Sequence, residues 1–282
     1  MTIGIVGLGL IGGSIAKAYR EYSKENSAEA KIYGHDIDSS IESFAILEGT
    51  LNGKLSDENI GECDLIFIGL YPVAAAEYLR ENAERIKKNA FVIDLCGTKQ
   101  RICEVGFSLA KEHGFVFVGG HPMAGTHFSG YKYSRANMFK GAPMVIVPPK
   151  FDDINFFDTV KALLAPAGFG KFSFTTAKDH DRMIAFTSQL AHVVSNAYVK
   201  SPTAKDHKGF SAGSYKDMTR VAWLNENMWT ELFFDNKEPL IYELDVIIDA
   251  LTEYKNALES GDREKMREIL KDGRLAKEKI DG

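Results

Sequence analysis

The sequence has few cysteines, no long apolar run and no excess of positive charge, and each shortage argues against a class of protein. Its three cysteines, Cys63, Cys96 and Cys103, are an odd number without a metal-binding CxxC spacing, as expected of reduced thiols. No run reaches the roughly 18 apolar residues of a membrane span, and the first apolar stretch lacks the basic residues of a signal peptide. A net charge of −5 argues against a nucleic-acid or anionic membrane partner. We therefore expect a cytoplasmic protein that binds a small molecule and no metal.

The length of 282 residues favours two domains. Predicted strands alternate with helices as far as Thr176, which is typical of parallel βαβ units in a doubly wound sheet. Beyond that point the pattern is helical. We predict an α/β fold with a doubly wound, mostly parallel sheet over residues 1–176, followed by an all-α domain over residues 177–282.

A glycine loop follows the first predicted strand and precedes a helical stretch that starts near Ser14. Gly7 would permit the tight turn, Gly9 would let a pyrophosphate approach the backbone, and Gly12 would let helix and strand pack closely. The helix N-terminus would then face the phosphates with its free N–H groups. A purely structural glycine turn is the alternative. The loop residues that we assign to a dinucleotide are Gly7, Leu8, Gly9, Leu10, Ile11 and Gly12.

An acidic residue stands where a ribose ligand is expected. The second predicted strand ends at His35 and Asp36, close to the roughly 20 residues beyond the glycine loop at which an acid binds the adenosine ribose. The stretch from His35 to Ser43 contains no Arg or Lys that could meet a 2′-phosphate, which favours NAD over NADP. Residues after two later strands are also assigned to the cofactor: Leu70, Pro72 and Gly97.

The sequence GGHPMAG follows an apolar run, Phe115 to Val118, which predicts a short buried strand with His121 at its mouth. An imidazole exchanges a proton near neutral pH, so His121 is a candidate acid or base. A surface turn with an exposed histidine is the alternative. Because ligands bind at the carboxyl ends of parallel strands, His121, Thr98, Asp36 and the glycine loop would lie at one edge of the sheet.

The helical half contains further candidates. Asp179 to Lys200 is apolar almost all round, which predicts a buried helix, and His192 on it is either a core residue or a ligand contact. Lys216 and Arg220 are four residues apart, so they would share a helix face as a carboxylate clamp or as an exposed basic surface. A later apolar stripe predicts a core face or a dimer interface, and it consists of Leu240, Leu244, Ile247, Leu251, Tyr254 and Leu258.

The glycine loop, GGHPMAG and KDMTR together resemble the prephenate and arogenate dehydrogenases of tyrosine biosynthesis. The resemblance implies a Rossmann domain, a helical domain that forms a homodimer, and NAD-dependent oxidative decarboxylation of prephenate to 4-hydroxyphenylpyruvate. It also implies that His121 takes the proton of the ring hydroxyl and that Arg220, with Lys216 nearby, holds a substrate carboxylate. The other residues that it places near the substrate are His192, Thr126 and Thr98.

The sequence departs from the family pattern at two positions. Gly97 stands where many members have a serine, so a hydroxyl group would have to come from Thr98 or water. His127 stands where an acidic residue often pairs with the arginine. Both departures concern the surroundings of the substrate.

Three other functions remain open at this level. Arogenate differs from prephenate by an amino group in place of a keto group, and the sequence does not choose between them. A β-hydroxyacid or imine reductase would also join a Rossmann domain to helices, but it would need a catalytic lysine where His192 stands. A non-catalytic NAD(H) sensor would give no reason for His121.

Overall fold

The computed structural model describes residues 1–27, 29–126 and 128–281, and among these residues eight strands form one sheet. The strands are β1 (Thr2–Val6), β2 (Lys31–His35), β3 (Gly53–Lys54), β4 (Leu65–Ile68), β5 (Phe91–Asp94), β6 (Val116–Pro122), β7 (Pro143–Val147) and β8 (Lys171–Phe174). All four residues of β4 are buried, which is typical of a strand covered by helices on both faces of the sheet.

The strand order is β3-β2-β1-β4-β5-β6-β7-β8. Neighbouring strands run parallel from β3 to β6, β7 is antiparallel to β6, and β8 is parallel to β7. The chain winds outward in opposite directions from β1 and β4, so the crevice beyond their carboxyl ends is the switch point at which such sheets bind ligands. The predicted doubly wound, mostly parallel sheet is confirmed.

Strand β6 is longer than the sequence predicts. Its first half, residues 116–118, pairs with β5, and its second half, residues 119–122, pairs with β7. His121 therefore lies inside a strand, opposite Val145, and the expectation that it stands at the mouth of the strand is wrong. The last pair between β5 and β6 is Ile93 with Val118. Because β6 continues for four residues past this pair, His121 still lies beyond the carboxyl edge of the parallel sheet.

Helices cover both faces of the sheet. They are α1 (Leu10–Glu25), α2 (Ser39–Leu47), α3 (Pro72–Asn82), α4 (Gln100–His113) and α5 (Ile154–Leu164). Side chains of α1 and α5 pack into one hydrophobic core, and those of α3 and α4 pack into a second core on the opposite face. Helix α1 begins earlier than predicted, because Gly9 already has the extended conformation of an N-cap residue.

The described residues after β8 form helices and turns. They are α6 (Ala177–Ile184), a π-helical segment (Ala185–Leu190), α7 (Ala191–Tyr198), α8 (Gly213–Thr219), α9 (Glu226–Asp235), α10 (Lys237–Glu259) and α11 (Arg263–Asp281). The all-α character of this region is confirmed, whereas the exact division at residues 176 and 177 stays a prediction. Searched over the described ranges, the chain has no helix with the length and apolar character to cross a membrane.

The helix predicted over residues 179–200 corresponds to α6, the π-helical segment and α7, which follow one another directly. It is not buried all round. Ala185 and Leu190 are buried, but Met183 and Phe186 are about half exposed on the isolated chain. The apolar residues therefore lie on two faces of this helical run. One face packs against the rest of the chain, and the other is exposed on the isolated chain.

Candidate active site

The glycine loop has the geometry that a dinucleotide requires. Gly7 has a φ of +84°, and a Cβ on it would lie 2.6 Å from the carbonyl oxygen of Gly69. A Cβ on Gly12 would lie 1.9 Å from the carbonyl oxygen of Gly7. A Cβ on Gly9, in contrast, would meet no atom within 4 Å. Gly7 and Gly12 are therefore required by the fold, and Gly9 leaves open space beside the N-terminus of α1, which carries no side-chain cap.

The remaining loop residues have different roles. Leu8 is fully buried in the core, so only its backbone can face a ligand. Leu10 and Ile11 are partly buried and pack against the same core. The loop thus combines hydrophobic anchors with exposed backbone, and this combination fits a bound pyrophosphate.

Asp36 lies directly after β2 and is held beside the glycine loop. Its Oδ2 accepts a hydrogen bond from the backbone N–H of Leu8 at 2.7 Å, and its Oδ1 accepts one from Asp38 at 3.0 Å. The carboxylate is therefore oriented before any ligand arrives. A preorganised acceptor at the end of β2 fits the hydroxyl groups of an adenosine ribose.

Three further residues assigned to the cofactor follow β4 and β5. Pro72 is the first residue of α3, and the carbonyl oxygen of Leu70 lies 3.4 Å from Sγ of Cys96. Gly97 lies beneath Leu232 of α9, and a Cβ on Gly97 would approach Leu232 to 3.1 Å. These positions line the same carboxyl edge as the glycine loop, as predicted, and their contacts with a cofactor remain predictions.

His121 belongs to a hydrogen-bonded series of three side chains. Its Nδ1 lies 2.9 Å from Nε2 of His180, and Nδ1 of His180 lies 2.7 Å from Oδ1 of Asp181. Because a carboxylate only accepts hydrogen bonds, His180 carries its proton on Nδ1 and accepts with Nε2. His121 then donates through Nδ1, a protonation state assigned from this network. Nε2 of His121 is left with a lone pair, as a general base requires.

Asp181 is fixed by the start of α4. Its Oδ1 accepts the backbone N–H of Lys99 at 2.7 Å, and its Oδ2 accepts that of Gln100 at 2.8 Å. The Asp181 carboxylate therefore lies at the N-terminus of α4 and accepts two of its free backbone N–H groups. The side chain of Asn236, between α9 and α10, donates to the carbonyl oxygen of Asp181 at 2.8 Å and to Oε1 of Gln189 at 2.8 Å.

A fully buried ion pair lies beside these histidines. Nζ of Lys99 contacts Oδ2 of Asp94, and both side chains have no exposed surface. Asp94 also accepts hydrogen bonds from the backbone N–H groups of Cys96 at 2.9 Å and Gly120 at 3.2 Å. Burial alone would lower the pKa of Lys99, but the neighbouring Asp94 outweighs it and raises the pKa, so the lysine stays charged.

These surroundings keep the two histidines neutral. Burial lowers the pKa of His121 well below 6.5, and the proximity of His180 and of the Lys99 ammonium lowers it further. Burial also lowers the pKa of His180, although the hydrogen bond to Asp181 opposes that shift. A neutral imidazole at neutral pH is the form that can accept a proton.

The sequence analysis did not identify His180, Asp181, Lys99 or Asp94 as part of the site. His180 and Asp181 stand in the first turns of an apolar helix, where charged residues are common at the surface. One signal was present: Asp94 and Lys99 flank the loop after β5, and charged residues at the carboxyl end of a buried strand are unusual unless they are paired.

His192 lies farther along the same run of helices. Its Nδ1 is 2.8 Å from the carbonyl oxygen of Ser188, and its ring stacks on Trp229 with centroids 3.8 Å apart. Burial lowers the pKa of His192, the hydrogen bond to Ser188 opposes that shift, and the positive charge of Arg220 lowers the pKa further. His192 is therefore a partly buried residue close to a cation.

The two predicted cations lie next to α7. Lys216 is on α8, which ends at Thr219, and Arg220 begins a short 3₁₀ turn, so the two do not share one α-helix as expected. Both α8 and the turn pack against α7. Both side chains are exposed, and neither forms an ion pair with another side chain in the described part of the chain. An exposed arginine and lysine beside His192 can receive an anionic ligand.

The two threonines assigned to the substrate make different contacts. Thr98 is fully buried, and its hydroxyl donates a hydrogen bond to Oδ2 of Asp235, the last residue of α9, at 2.6 Å. Thr126 is exposed, and its hydroxyl accepts the backbone N–H of Phe128 at 3.3 Å. With the Thr98 hydroxyl bonded to Asp235, the roles of Thr98 and Thr126 toward a substrate stay predictions. His127 lies outside the described residues.

Comparison with known proteins identifies the family. Residues 16–171 match the family model for the prephenate dehydrogenase nucleotide-binding domain, and residues 176–272 match the model for the prephenate dehydrogenase dimerization domain. The chain is 28% identical to the prephenate dehydrogenase of Lactococcus lactis over 98% of this chain and 77% of that protein. It is 25% identical to the cyclohexadienyl dehydrogenase of Zymomonas mobilis, over 98% and 94% of the two chains.

A solved structure agrees with this assignment. Prephenate dehydrogenase from Aquifex aeolicus, crystallised with hydroxyphenyl propionate and NAD+, superposes with a TM-score of 0.82 at 27% identity, covering 100% of this chain and 98% of that one. The fold agrees with these similarities. The chain belongs to the prephenate dehydrogenase family.

Proposed function

We infer that this chain catalyses the NAD-dependent oxidative decarboxylation of prephenate to 4-hydroxyphenylpyruvate, CO₂ and NADH. The observation that carries the inference is the hydrogen-bonded series from Asp181 through His180 to His121. It leaves Nε2 of His121 as a proton acceptor at the edge of the sheet that also carries the glycine loop. The family membership supplies the substrate class.

The proton and the hydride leave the same carbinol group. Bound NAD+ accepts the hydride from the ring carbon, and Nε2 of His121 accepts the hydroxyl proton as the C–O bond gains double-bond character. Such general base catalysis typically contributes about 10²- to 10⁴-fold. The C–CO₂ bond then breaks, its electron pair makes the ring aromatic, and the phenolate oxygen recovers the proton.

His180 and Asp181 are positioning residues in this mechanism. When His121 gains a proton at Nε2, its Nδ1–H remains hydrogen-bonded to His180, and the negative charge of Asp181 compensates part of the new positive charge. The nearby ammonium of Lys99 acts in the opposite sense and keeps the proton from being held too tightly. The base is therefore neutral before the reaction and only transiently charged.

The substrate carries two carboxylates, and cations are needed to bind them in a chain with a net charge of −5. Arg220 and Lys216 are proposed for this role. Arg220 offers a planar pair of donors that matches a carboxylate. The neighbouring His192, whose ring is fixed by Ser188 and Trp229, is proposed to contact the substrate side chain.

Arogenate is the second candidate substrate, because the similar protein of Z. mobilis is a cyclohexadienyl dehydrogenase. The reacting ring is the same in both compounds, so His121 would act identically. The substrates differ only at the side chain, which is the proposed environment of His192 and Arg220. Comparing kcat/KM for the two compounds distinguishes them, and a large preference for arogenate would contradict our assignment.

We propose that the helical region forms a homodimer. The match of residues 176–272 to a dimerization domain supports this. Helix α10 presents apolar side chains on both of its sides: Leu240 is buried, whereas Ile248, Leu251 and Leu258 are more than half exposed on the single chain. Sedimentation at micromolar concentration should give twice the chain mass, and a monomer would contradict the proposal.

The function is tested by the absorbance of NADH formed from NAD+ and prephenate. The wild type should turn over, and His121→Asn should lose about 10²-fold or more of kcat while substrate binding is largely kept, because the base is removed with little loss of volume. Near-normal kcat in the variant would remove His121 from catalysis. No turnover with prephenate or arogenate would contradict the function itself.

A further inference from the structure

Glu42 lies at the adenosine end of the proposed cofactor site, and no role has been assigned to it above. It belongs to α2, and its side chain is only 6% exposed. Its Oε1 accepts the backbone N–H of Asp36 at 3.0 Å. A buried carboxylate thus lies directly behind the residue proposed to bind the ribose hydroxyls.

The same carboxylate holds a lysine that the sequence analysis did not consider. Oε2 of Glu42 lies 2.8 Å from Nζ of Lys54 on β3, and Oε1 lies 3.1 Å from Nδ1 of His35. Strand β3 pairs with β2, and Lys54 lies opposite Gly34. The Lys54 ammonium therefore lies near the end of β2, although Lys54 itself is outside residues 35–43, the stretch that lacks Arg and Lys. The site therefore contains a cation, although the local sequence has no Arg or Lys.

A cation at this point is what the 2′-phosphate of NADP would need. The negative charge of Glu42 neutralises Lys54 and so removes the attraction between this lysine and a 2′-phosphate. Together with Asp36, Glu42 would also repel the phosphate. Burial alone would raise the pKa of Glu42, but hydrogen bonds from Lys54, from the backbone of Asp36 and from His35 outweigh it and hold the pKa below its ordinary value. Glu42 is therefore ionised at neutral pH.

We propose that Glu42 is a specificity-determining residue that excludes NADP by neutralising Lys54, while Asp36 binds the ribose of NAD. This inference rests on the NAD-dependent function proposed above. It predicts that the pair formed by Glu42 and Lys54 discriminates against a 2′-phosphate, in addition to any discrimination by Asp36 at the end of β2.

The test measures the dissociation constants of NADH and NADPH by nucleotide fluorescence, without substrate. Glu42→Gln keeps the size of the side chain and removes its charge. It should tighten NADPH binding relative to NADH by roughly tenfold or more, the equivalent of one charge contact. In the double variant Glu42→Gln/Lys54→Met this gain should disappear, because the freed ammonium is gone.

Glu48 provides a matched control. It follows the same helix and interacts with Lys17 and Tyr131, away from the residues that hold Asp36. Glu48→Gln should leave the ratio of the two dissociation constants at the wild-type value.

Three results would overturn the proposal. Equal changes in NADH and NADPH binding in Glu42→Gln would mean that Glu42 only supports the loop. A gain in NADPH binding that survives the loss of Lys54 would remove the lysine from the explanation. A wild type that binds neither nucleotide would overturn the cofactor assignment and this proposal with it.

Discussion

Nδ1 of His121 lies 2.9 Å from Nε2 of His180, although 59 residues separate the two histidines in the chain. The contact joins the last part of β6 to the first turn of α6, and Asp181 completes it from the next position. The tautomer of the proposed base is therefore set by a neighbouring helix and not by strand β6, on which His121 lies.

Replacing His180 tests this dependence. His180→Phe keeps an aromatic ring but cannot accept the hydrogen bond from Nδ1–H of His121, so the base is no longer held in the correct tautomer. We expect kcat to fall roughly 10- to 100-fold, a range typical of residues that orient a functional histidine, with KM for prephenate little changed. Steady-state kinetics with a melting curve as a fold control provides the measurement. An unchanged kcat in a folded variant would show that His121 is oriented without His180.

The stability of the folded chain should depend on pH above the range in which carboxylates titrate. Burial depresses the pKa of His121 and His180 below 6.5. The unfolded chain consequently binds more protons as the pH falls below about 6.5, and each histidine removes up to about 1.4 kcal/mol of unfolding free energy per pH unit. Urea unfolding between pH 7 and pH 5 should show this loss, and His180→Phe should reduce its slope. A flat profile would mean that the two histidines bind protons equally well in the folded and the unfolded chain.

The buried pair of Lys99 and Asp94 makes a different prediction. Lys99→Met leaves the Asp94 carboxylate without its cation in a fully buried position, and breaking such a pair costs about 3 to 5 kcal/mol. The double variant Lys99→Met/Asp94→Asn should recover much of this loss because no isolated charge remains. Denaturant unfolding of the single and double variants measures the coupling. Additive losses would show that the two charges do not stabilise each other.

Two glycines of the same loop should respond differently to alanine. Gly12→Ala should destabilise the chain even without ligand, because a Cβ there would lie 1.9 Å from a backbone oxygen. Gly9→Ala should leave the melting temperature of the free protein nearly unchanged, since nothing lies within 4 Å of its Cβ, and should weaken NADH binding. Melting curves and NADH titrations separate the two effects. Unaltered NADH affinity in Gly9→Ala would contradict the proposed approach of the pyrophosphate.

Arg220→Ala should mainly raise KM for prephenate. Once bound substrate has excluded water from this exposed arginine, losing its contact to a substrate carboxylate costs roughly 2 to 5 kcal/mol, whereas kcat depends on His121. Lys216→Ala, a neighbouring exposed cation, should give a smaller effect and serves as the comparison. If Arg220→Ala leaves KM at the wild-type value, the arginine belongs to a solvated surface.

The parts of the fold that were predicted correctly depend on contacts close in sequence. Strand β1, the glycine loop and α1 succeed one another within residues 2–25, and each has its own pattern of apolar residues or glycines. The residues around His121 are different. Asp181 accepts a hydrogen bond from the backbone N–H of Lys99, which is 82 residues away in the chain. A contact between residues so far apart cannot be predicted from their spacing in the sequence.

The extension of β6 shows a second limit. Glycines and a proline usually end a strand, so the sequence predicts a break after Val118. A Cβ on Gly119 would lie 2.6 Å from Sγ of Cys103, and one on Gly120 would lie 2.6 Å from the carbonyl oxygen of Asp94. Here the glycines permit close packing within a continuing strand. Glycines in a closely packed strand and glycines in a turn look alike in the sequence, and only the positions of the neighbouring elements distinguish them.

The junction between α9 and α10 links the helical region to the nucleotide-binding part of the chain. Asp235 accepts hydrogen bonds from Thr98 and Arg101, and Asn236 donates to the carbonyl oxygen of Asp181. The last residue of α9 thus holds the start of α4, and the residue before α10 holds the main chain of Asp181. Because one junction holds both elements, local unfolding of the first turn of α10 and loss of order at Asp181 are expected to be coupled equilibria.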